Sequence, residues 1–426
     1  MHHTRPKVFF ESSVLGQARS NVLARTGVYR CISELLIELN RSHSELLVVP
    51  FCRDAELASS VLALLRDFDL PLGIVPRQVR LAWLLRILLP DWIARLFLRR
   101  LIVGLRQRLY DLVLHHALRT CPVTPILQDT FLITRRSFNE PFYHRVVIAY
   151  DLIPILYPEW ASAGMFSALD HFYASLQPED SVICISEATR QDLLRCYTQV
   201  NPFRSVVIHL AASANFRPES DQELISTVKM KLGLSHDDVY ILSVCTLEPR
   251  KNLEMVVRAF SELCTYSNLP RQPWLVLTGA AGWGNTSITD IATELGVMDR
   301  VILSGYVPDA ELPALYSGSL CFLYPSLYEG FGLPVLEAMQ CGTPVIVSDR
   351  SSLPEVVGDA GLIVDPDNPT LIADSMALLC SSPDLRDALS SQAIARASLF
   401  SWSIASSKLA ALYSNLHESS LSRSSL

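Results

Sequence analysis

Two glutamates frame a glycine-containing loop in the second half of the chain. Glu329 comes directly before Gly330 and Gly332, and Glu337 lies about one helical turn inside the segment that follows. Backbone amides at the start of a helix attract phosphate, and glycine lets a ligand approach the backbone closely. An ionised carboxylate only accepts hydrogen bonds, which sugar hydroxyls can donate. These residues predict a ligand that joins phosphate to sugars, although a turn followed by a glutamate that complements the helix dipole would give the same pattern.

The segments around this loop predict a strand, the loop, a helix and a second strand. Residues 320–324 (LCFLY) are apolar and aromatic, as expected for a buried strand. Pro334 suits the first turn of a helix, and Gly342 suits its C-terminal cap. The apolar residues 345–348 (VIVS) would form the next strand. This order places the free amides of the helix beside the loop.

The stretch EGFGLPVLEAMQCGTPVI, residues 329–346, resembles the signature of the family-4 retaining glycosyltransferases of the GT-B fold. The two acids, with seven residues between them, match the donor-site motif of that family. The resemblance implies an α/β protein with two doubly wound, Rossmann-like domains that face each other across a cleft. It also implies a metal-independent hexosyltransferase with a nucleotide-diphosphate sugar as co-substrate and no other cofactor.

The resemblance also assigns roles to single positions. Glu329 would hold the hydroxyls of the transferred sugar, and Glu337 would hold those of the ribose. No protein nucleophile is implied, because the leaving phosphate can assist deprotonation of the acceptor. The donor-binding residues implied in this way are Arg250, Lys251, Gly330, Phe331, Gly332, Leu333, Glu337, Gly305, Tyr306 and Val307.

Two cations follow a predicted strand at residues 239–246 (VYILSVCT) and come just before a predicted helix. The helix dipole disfavours cations at this position, so an anionic ligand explains Arg250 and Lys251 better than solvated surface charges do. Arginine suits bidentate contact with phosphate. The form TLEPRKNL is one that the family shows. We therefore expect both residues to contact the diphosphate.

The first half contributes fewer candidates. Asp151 follows the apolar strand 146–150, at the carboxyl end where parallel sheets present functional groups. Family members commonly have a His-Asp pair here; Tyr150 takes the place of the histidine, so the resemblance implies a catalytic role for Asp151 alone. A turn-capping aspartate is the alternative. Thr26 and Gly27 open the first helix, and the resemblance places them on the acceptor side of the cleft, although a simple helix start would look the same.

Residues 77–119 are basic, with nine arginines, no lysine and two aspartates. Trp83 and Trp92 lie between the arginines, and Pro90 predicts a break between two helices. An arginine-rich amphipathic helix can lie in the headgroup layer of an anionic membrane. Ordinary surface helices with extended arginines are the alternative. We expect peripheral contact with an anionic membrane through this segment.

The composition limits the fold and the partners. With 426 residues, half of them hydrophobic, the chain is long enough for two domains with large cores. The net charge of −7 argues against nucleic acid as the main partner. Ten scattered cysteines favour reduced thiols in the cytosol and disfavour a zinc site. The start lacks the apolar core of a signal peptide, and no apolar run is long enough to span a membrane. We expect a cytoplasmic protein, peripheral at the inner face of the membrane.

The predicted domains are an acceptor-side domain at 1–213, a linker at 214–222 and a nucleotide-sugar domain at 223–399. A closing helix at 400–416 would pack back on the first domain, before a disordered tail at 417–426 that is rich in serine. Asp365-Pro366-Asp367 spells the Asp-x-Asp of metal-dependent transferases of another fold. It follows a strand and contains proline, so we expect a turn and no metal site.

The forms LEPRKN and SLYEGFGLP resemble those of mannosyltransferases and other hexosyltransferases of polysaccharide assembly. GDP-mannose is therefore the first candidate donor, with a growing glycan or a lipid-linked glycan as acceptor. One alternative is a soluble synthase that acts on a small sugar phosphate, which the basic segment disfavours. The other is a non-catalytic scaffold that binds a sugar nucleotide, which the intact acids and cations disfavour.

Overall fold

The structure is a computed structural model in which each half of the chain forms its own parallel β-sheet. Its described residues are 5–13, 15, 27–52, 57–88, 112–113, 116–121, 123–129, 143–161, 164–280 and 288–424. Within these residues, each sheet has six strands. The α/β class with two doubly wound units, expected from the sequence, is confirmed.

The first sheet has the spatial strand order β2-β1-β3-β4-β5-β6, with every neighbouring pair parallel. Its strands are β1 (Lys7–Glu11), β2 (Leu47–Phe51), β3 (Ile126–Asp129), β4 (His144–Ala149), β5 (Ser181–Cys184) and β6 (Ser205–Val207). The described helices of this half are α1 (Gly27–Ser42), α2 (Ala58–Asp67), α3 (Val75–Leu88), α4 (Ile153–Leu156), α5 (Met165–Ala174) and α6 (Glu187–Cys196).

The second sheet has the order β12-β11-β10-β7-β8-β9, again parallel throughout. Its strands are β7 (Tyr240–Val244), β8 (Trp274–Thr278), β9 (Val301–Gly305), β10 (Cys321–Tyr324), β11 (Val345–Ser348) and β12 (Leu362–Val364). The described helices of this half are α7 (Gln222–Lys231), α8 (Leu253–Cys264), α9 (Ile288–Glu294), α10 (Leu312–Ser317), α11 (Leu333–Gln340), α12 (Leu353–Val357), α13 (Pro369–Ser381), α14 (Pro383–Ala397) and α15 (Trp402–Ser424).

The apolar composition of the central strands follows from their burial on both faces. Every residue of β10 and β11 is buried, and the two strands pair in register with Phe322 opposite Val345. Parallel sheets covered by helices on both sides require such continuous apolar segments. The sequence prediction of a strand, loop, helix and strand across this region is confirmed, with Pro334 in the first turn of α11 and Gly342 in the left-handed conformation just after it.

The closing helix is longer than the sequence indicated. The helix α15 continues to Ser424, so the predicted disordered tail is wrong for residues 417–424. Leu416 and His417 are buried, and the Ser420 hydroxyl donates to the Leu416 carbonyl at 2.9 Å while contacting His144. A serine can satisfy its hydroxyl within a helix in this way, so serine content alone did not indicate disorder. This helix packs against α1 and β3 of the first half.

The segment that leads out of the first sheet is irregular. The strand β6 ends at Val207, before the apolar residues 210–212. Leu210, Ala211 and Ala212 are nevertheless buried. Their apolar character therefore reflects packing where the chain leaves the sheet rather than strand pairing. The predicted linker 214–222 runs from this point to Gln222, the first residue of α7, and the Asp221 carboxylate caps the N-terminus of that helix.

Part of the basic segment can be described. The helix α3 covers its first residues as far as Leu88, while 89–111 and 114–115, with Pro90 and Trp92, lie outside the described residues. Among the residues that are described, no helix combines the length and the apolar character needed to cross a membrane.

Candidate active site

The site lies at the point where the strand order of the second sheet reverses. The strands β7 and β10 are neighbours in space, although two strands separate them in the sequence. Ligands bind beyond the carboxyl ends of the strands at such a switch point. The turn Pro249–Lys251 follows β7, and the loop that carries Glu329 follows β10. The topology therefore brings the predicted cations to the first predicted acid.

Glu329 is held by both cations. Its Oε1 accepts a hydrogen bond from Lys251 Nζ at 2.5 Å, and its Oε2 lies 3.0 Å from Arg250 Nη1. The Ser326 hydroxyl donates to Oε1 at 2.6 Å. Lys251 also donates to the Tyr324 hydroxyl at 2.5 Å. These contacts fix the carboxylate and the two cationic groups in one rigid cluster, which we call the Glu329 cluster (Arg250, Lys251, Tyr324, Ser326 and Glu329).

The pKa of Glu329 is set by these contacts. Burial alone would raise the pKa of its carboxyl, but Arg250, Lys251 and Ser326 outweigh burial and lower the pKa to about 2. The pKa of Arg250 is raised, because its neighbouring acids outweigh the effect of burial. Both groups are therefore charged at neutral pH. Arg250 also binds Glu248, with 2.9 Å between Nε and Oε2.

Glu337 has a different environment. Its Oε1 accepts from Arg30 Nη1 at 2.7 Å, and its Oε2 accepts from the Tyr316 hydroxyl at 3.1 Å. Burial is the largest effect on this carboxyl and raises its pKa to about 7, although Arg30 and Tyr316 oppose the rise. Arg30 could not be identified from the sequence, because an arginine on an amphipathic helix has no motif that links it to a distant acid.

Asp151 faces this site from the first half. Its Oδ1 accepts from the amide of Ile153 at 3.0 Å, which is the turn-capping contact considered from the sequence. Burial raises the pKa of Asp151, while the Ile153 amide and the cations Arg250 and Lys251 oppose the rise. The half-buried carboxyl thus both caps a turn and lies within electrostatic reach of the Glu329 cluster.

Gly330 allows the two halves to meet. A Cβ atom at this position would lie 2.4 Å from the carbonyl oxygen of Tyr150 and 3.0 Å from Cβ of Asp151, so a side chain here would clash. The carbonyl of Gly330 accepts from the hydroxyls of Ser186 at 2.7 Å and Thr189 at 3.3 Å. The glycine is therefore required for close contact with the first half, in addition to any contact with a ligand.

Two further residues of the second half, Tyr328 and Glu355, contact the first half, and these contacts were not expected from the sequence. The hydroxyl of Tyr328 hydrogen-bonds to the carboxylate of Asp192 on α6. The carboxylate of Glu355 accepts from the amide of Glu187 at 2.9 Å, at the N-terminus of the same helix, and from His209 Nε2 at 2.6 Å. Single Ser, Thr and Tyr residues do not reveal such partners in a sequence.

The other predicted donor residues lie on the same edge of the second sheet. Gly332 has φ +104° and precedes α11, and Phe331 is buried next to it while Leu333 begins the helix. Gly305 ends β9 and its carbonyl accepts from the Gly279 amide at 2.9 Å. The remaining members of that loop are Tyr306, which is exposed, and Val307, which is partly buried.

The acceptor-side prediction is described only in part. Gly27 is the first residue of α1, and Thr26 lies outside the described residues.

Asp365 and Asp367 form the predicted turn, with the Asp367 amide bonded to the Asp365 carboxylate. Both acids contact Arg350 Nη2, at 3.1 and 3.2 Å. Across the described ranges, no cluster of three or more metal-ligating side chains is found.

Residues 225–396 match the family Glycosyl transferases group 1. Over 231 residues the chain is 36% identical to the O-antigen chain mannosyltransferase B of Escherichia coli; the match covers 54% of this chain and 59% of that protein. The chain therefore matches little more than half the length of this relative.

The fold extends over nearly the whole chain. A sucrose-phosphate synthase from Thermosynechococcus elongatus superposes with a TM-score of 0.66 at 20% identity, covering 98% of this chain and all of that one. Anabaena HepE, solved in complex with UDP and glucose, superposes with a TM-score of 0.62 at 18% identity, covering 96% of this chain and all of that one. At these identities the superpositions show the fold. This chain therefore has the GT-B fold, its residues 225–396 are similar to the glycosyl transferases group 1 family, and the chain resembles mannosyltransferases.

Proposed function

We propose that this chain is a retaining glycosyltransferase that moves a hexose from a nucleotide-diphosphate sugar to a hydroxyl of a glycan acceptor. The observation that carries the proposal is the buried contact of Glu329 with both Arg250 and Lys251 at the switch point of the second sheet. The group 1 domain match over residues 225–396 supports the reaction class. Mannose is the first candidate sugar because of the likeness to the O-antigen mannosyltransferase.

The two cations are suited to the diphosphate. An ammonium group has three donors, and the contacts of Lys251 with Glu329 and Tyr324 use two of them. Arg250 Nη2 takes part in none of the contacts described above. Each residue can therefore reach an anionic oxygen without leaving Glu329. The N-terminus of α11, which begins after Gly332, supplies further positive potential. These groups would neutralise the leaving diphosphate, so the reaction requires no separate metal ion.

Glu329 is suited to holding sugar hydroxyls and poorly suited to nucleophilic attack. A carboxylate with a pKa of about 2, already bonded to three donors, is a weak base and a weak nucleophile. Its remaining lone pairs can accept from sugar hydroxyls. The leaving phosphate would then assist deprotonation of the acceptor hydroxyl, on the face of the donor sugar from which the phosphate departs. Asp151, at the carboxyl end of β4, would contact the reacting groups from the first half.

The base and the ribose would lie at the other end of the loop. Glu337 would accept hydrogen bonds from the ribose hydroxyls, and Gly305, Tyr306 and Val307 would line the base. Guanine is the first candidate base, as in GDP-mannose. The acceptor would be a growing glycan or a lipid-linked glycan of a polysaccharide such as an O-antigen, which is the polymer that the relative's name specifies.

The experiment that tests the reaction class is a screen of nucleotide sugars. Slow hydrolysis of the donor, together with thermal stabilisation by the matching nucleoside diphosphate, is expected for one or two members of the panel, with GDP-mannose first. Retention is checked by the anomeric configuration of the transferred sugar. Absence of both hydrolysis and stabilisation across the panel would reject the proposal.

Membrane contact through residues 77–119 is part of the proposal. Arginines near an anionic surface contribute about 1 kcal/mol each, and salt screens this attraction. We expect co-sedimentation with anionic vesicles, little with neutral ones, and partial release by high salt. Replacement of Arg99 and Arg100 by Glu should lower vesicle binding and leave donor hydrolysis nearly unchanged. Equal binding to both kinds of vesicle, or to neither, would indicate ordinary surface helices.

A further inference from the structure

Arg30 connects the two halves of the molecule at the donor site. It lies on α1, in the first half, and both of its Nη atoms reach acids of the second half. Nη1 donates to Glu337 Oε1 at 2.7 Å, and Nη2 donates to Asp309 Oδ2 at 2.9 Å. A planar guanidinium held at two points has little freedom of orientation. The residue is therefore fixed between two elements of the opposite half.

The position of Arg30 coincides with the place proposed for the nucleoside. Glu337 is the acid proposed for the ribose, and Asp309 follows the loop proposed for the base, which ends at Val307. Because its two partners come from these two elements, the guanidinium lies where ribose and base would be recognised. Glu329 and its cations, by contrast, belong entirely to the second half.

Glu337 retains capacity for a ligand while it is paired. Each carboxylate oxygen can accept about two hydrogen bonds. Arg30 uses one position on Oε1, and the Tyr316 hydroxyl uses one on Oε2. Two positions thus remain for the two vicinal hydroxyls of a ribose. Pairing with Arg30 and binding of ribose are therefore compatible rather than exclusive.

We propose that Arg30 is a positioning residue for the ribose of the donor, which acts from the first half by orienting Glu337 as a hydrogen-bond acceptor. The inference rests on the proposed function, in which Glu337 binds the ribose. It adds a residue of the first half to nucleotide recognition and links that recognition to contact between the halves.

The positive charge of Arg30 also favours the ionised form of the Glu337 carboxyl. Glu337 is only 4% exposed, and burial raises its pKa to about 7 even with Arg30 in contact. Without the guanidinium, the carboxyl would take up a proton more readily. A protonated carboxyl offers one donor in place of an acceptor position, so it can no longer accept from both hydroxyls. Loss of Arg30 should therefore affect the ribose specifically rather than the diphosphate.

The test compares ribonucleotides with their 2′-deoxy analogues. Calorimetric titration is carried out with GDP, UDP and the 2′-deoxy form of whichever binds the wild type more tightly. The wild type should favour the ribonucleotide by roughly tenfold, the value of a hydrogen bond to a charged group. Arg30→Gln should lose most of this preference, mainly through weaker ribonucleotide binding. Arg30→Lys keeps the positive charge but cannot contact Glu337 and Asp309 through two Nη atoms, so it should give an intermediate preference for the ribonucleotide.

Arg41→Gln is the matched control. Arg41 lies in the last turn of the same helix, is well exposed, and pairs with Glu38 at 2.7 Å, away from Glu337. This variant loses the same charge from the same element and should retain the wild-type preference. A general disturbance of α1 would instead affect both variants and both nucleotides alike.

Three results would overturn the inference. An unchanged ribose preference in Arg30→Gln would show that Glu337 does not depend on Arg30. Tighter nucleotide binding by Arg30→Gln would show that the guanidinium blocks the site. Failure of the wild type to bind GDP, UDP or any other nucleoside diphosphate of the panel would reject the proposed function itself, and the inference with it.

Discussion

Glu329 and Glu337 lie at opposite ends of one loop and helix, both buried, yet their surroundings shift their pKa values in opposite directions. Two cations of the same half and a serine hydroxyl contact Glu329 and lower its pKa to about 2. A single cation from the other half contacts Glu337, and burial raises its pKa to about 7. Burial acts on both carboxyls; the number and the origin of the cations differ.

This difference shows how one motif can provide two functions. The acid with two fixed cations is charged whatever the position of the first half, so it suits the reacting sugar and its diphosphate. The acid with a single cation from the first half depends on contact between the halves. On our proposal, the ribose is recognised in full only when the first half is in place. The predictions below test this contrast.

The largest effect is expected for Glu329→Gln. The variant keeps the size of the side chain but loses the negative acceptor beside the transferred sugar, so turnover should fall by roughly 100-fold or more. The affinity for nucleoside diphosphate should be kept or rise, because Arg250 and Lys251 lose a competing anion. Donor hydrolysis and calorimetric titration measure the two quantities. A loss of affinity as large as the loss of turnover would contradict the assignment.

The second effect concerns Lys251→Ala. Loss of a charge-assisted contact should weaken binding of a nucleoside diphosphate by about 2 to 3 kcal/mol. Binding of the nucleoside alone should change little. Arg258→Ala is the control, because Arg258 is exposed and pairs with Glu254 one turn along α8. Equal losses for nucleoside and diphosphate would show that Lys251 does not contact the phosphates.

The third prediction concerns stability and pH. Glu337 binds its proton more tightly in the folded than in the unfolded chain, so it favours folding at low pH and loses this contribution as the pH rises from about 4.5 to about 7. Glu329 behaves oppositely, because its contribution is present above about 4.5 and is lost as the pH falls towards about 2. Each contribution amounts to about 3 kcal/mol.

Calorimetric melting of the wild type and of the two Glu→Gln variants measures these contributions. Relative to the wild type, Glu337→Gln should gain thermal stability as the pH rises from 5 to 7.5. The difference between Glu329→Gln and the wild type should shrink as the pH falls from 5 towards 3. The same pH trend in both variants would contradict the contrast between the two carboxyls.

The smallest effect is expected for a chelator. EDTA should change activity by less than about twofold, because the arginine, the lysine and the helix amides supply the positive charge at the diphosphate. Activity is measured with donor alone and with acceptor, before and after dialysis against EDTA. Complete loss that manganese restores would reject this account and make Asp365 and Asp367 candidates for metal ligands.

The sequence was most informative where local chemistry determines the structure. The strands around Glu329, the helix after Gly332 and the strand that precedes Arg250 were predicted from hydrophobic runs and from glycine and proline positions, and the structure confirms them. The parallel topology then explains why Arg250 meets Glu329, since both follow neighbouring strands.

Contacts between distant segments could not be predicted in this way. Arg30 and Glu337 are far apart in the sequence, and neither the helical pattern around Arg30 nor its charge indicates a partner. The contacts of Ser186 with Gly330, and of Glu355 with the start of α6, likewise depend on how the halves meet. The tail at 417–426 was predicted as disordered because the burial of His417 is not visible in composition.

The most direct test of separate roles is to measure Glu329→Gln and Glu337→Gln side by side, for donor hydrolysis at saturating donor and for affinity towards the ribonucleotide and its 2′-deoxy form. We predict that Glu329→Gln loses turnover and keeps both affinity and ribose preference. We predict that Glu337→Gln loses affinity and ribose preference while most turnover at saturation remains. Identical profiles for the two variants would contradict the account.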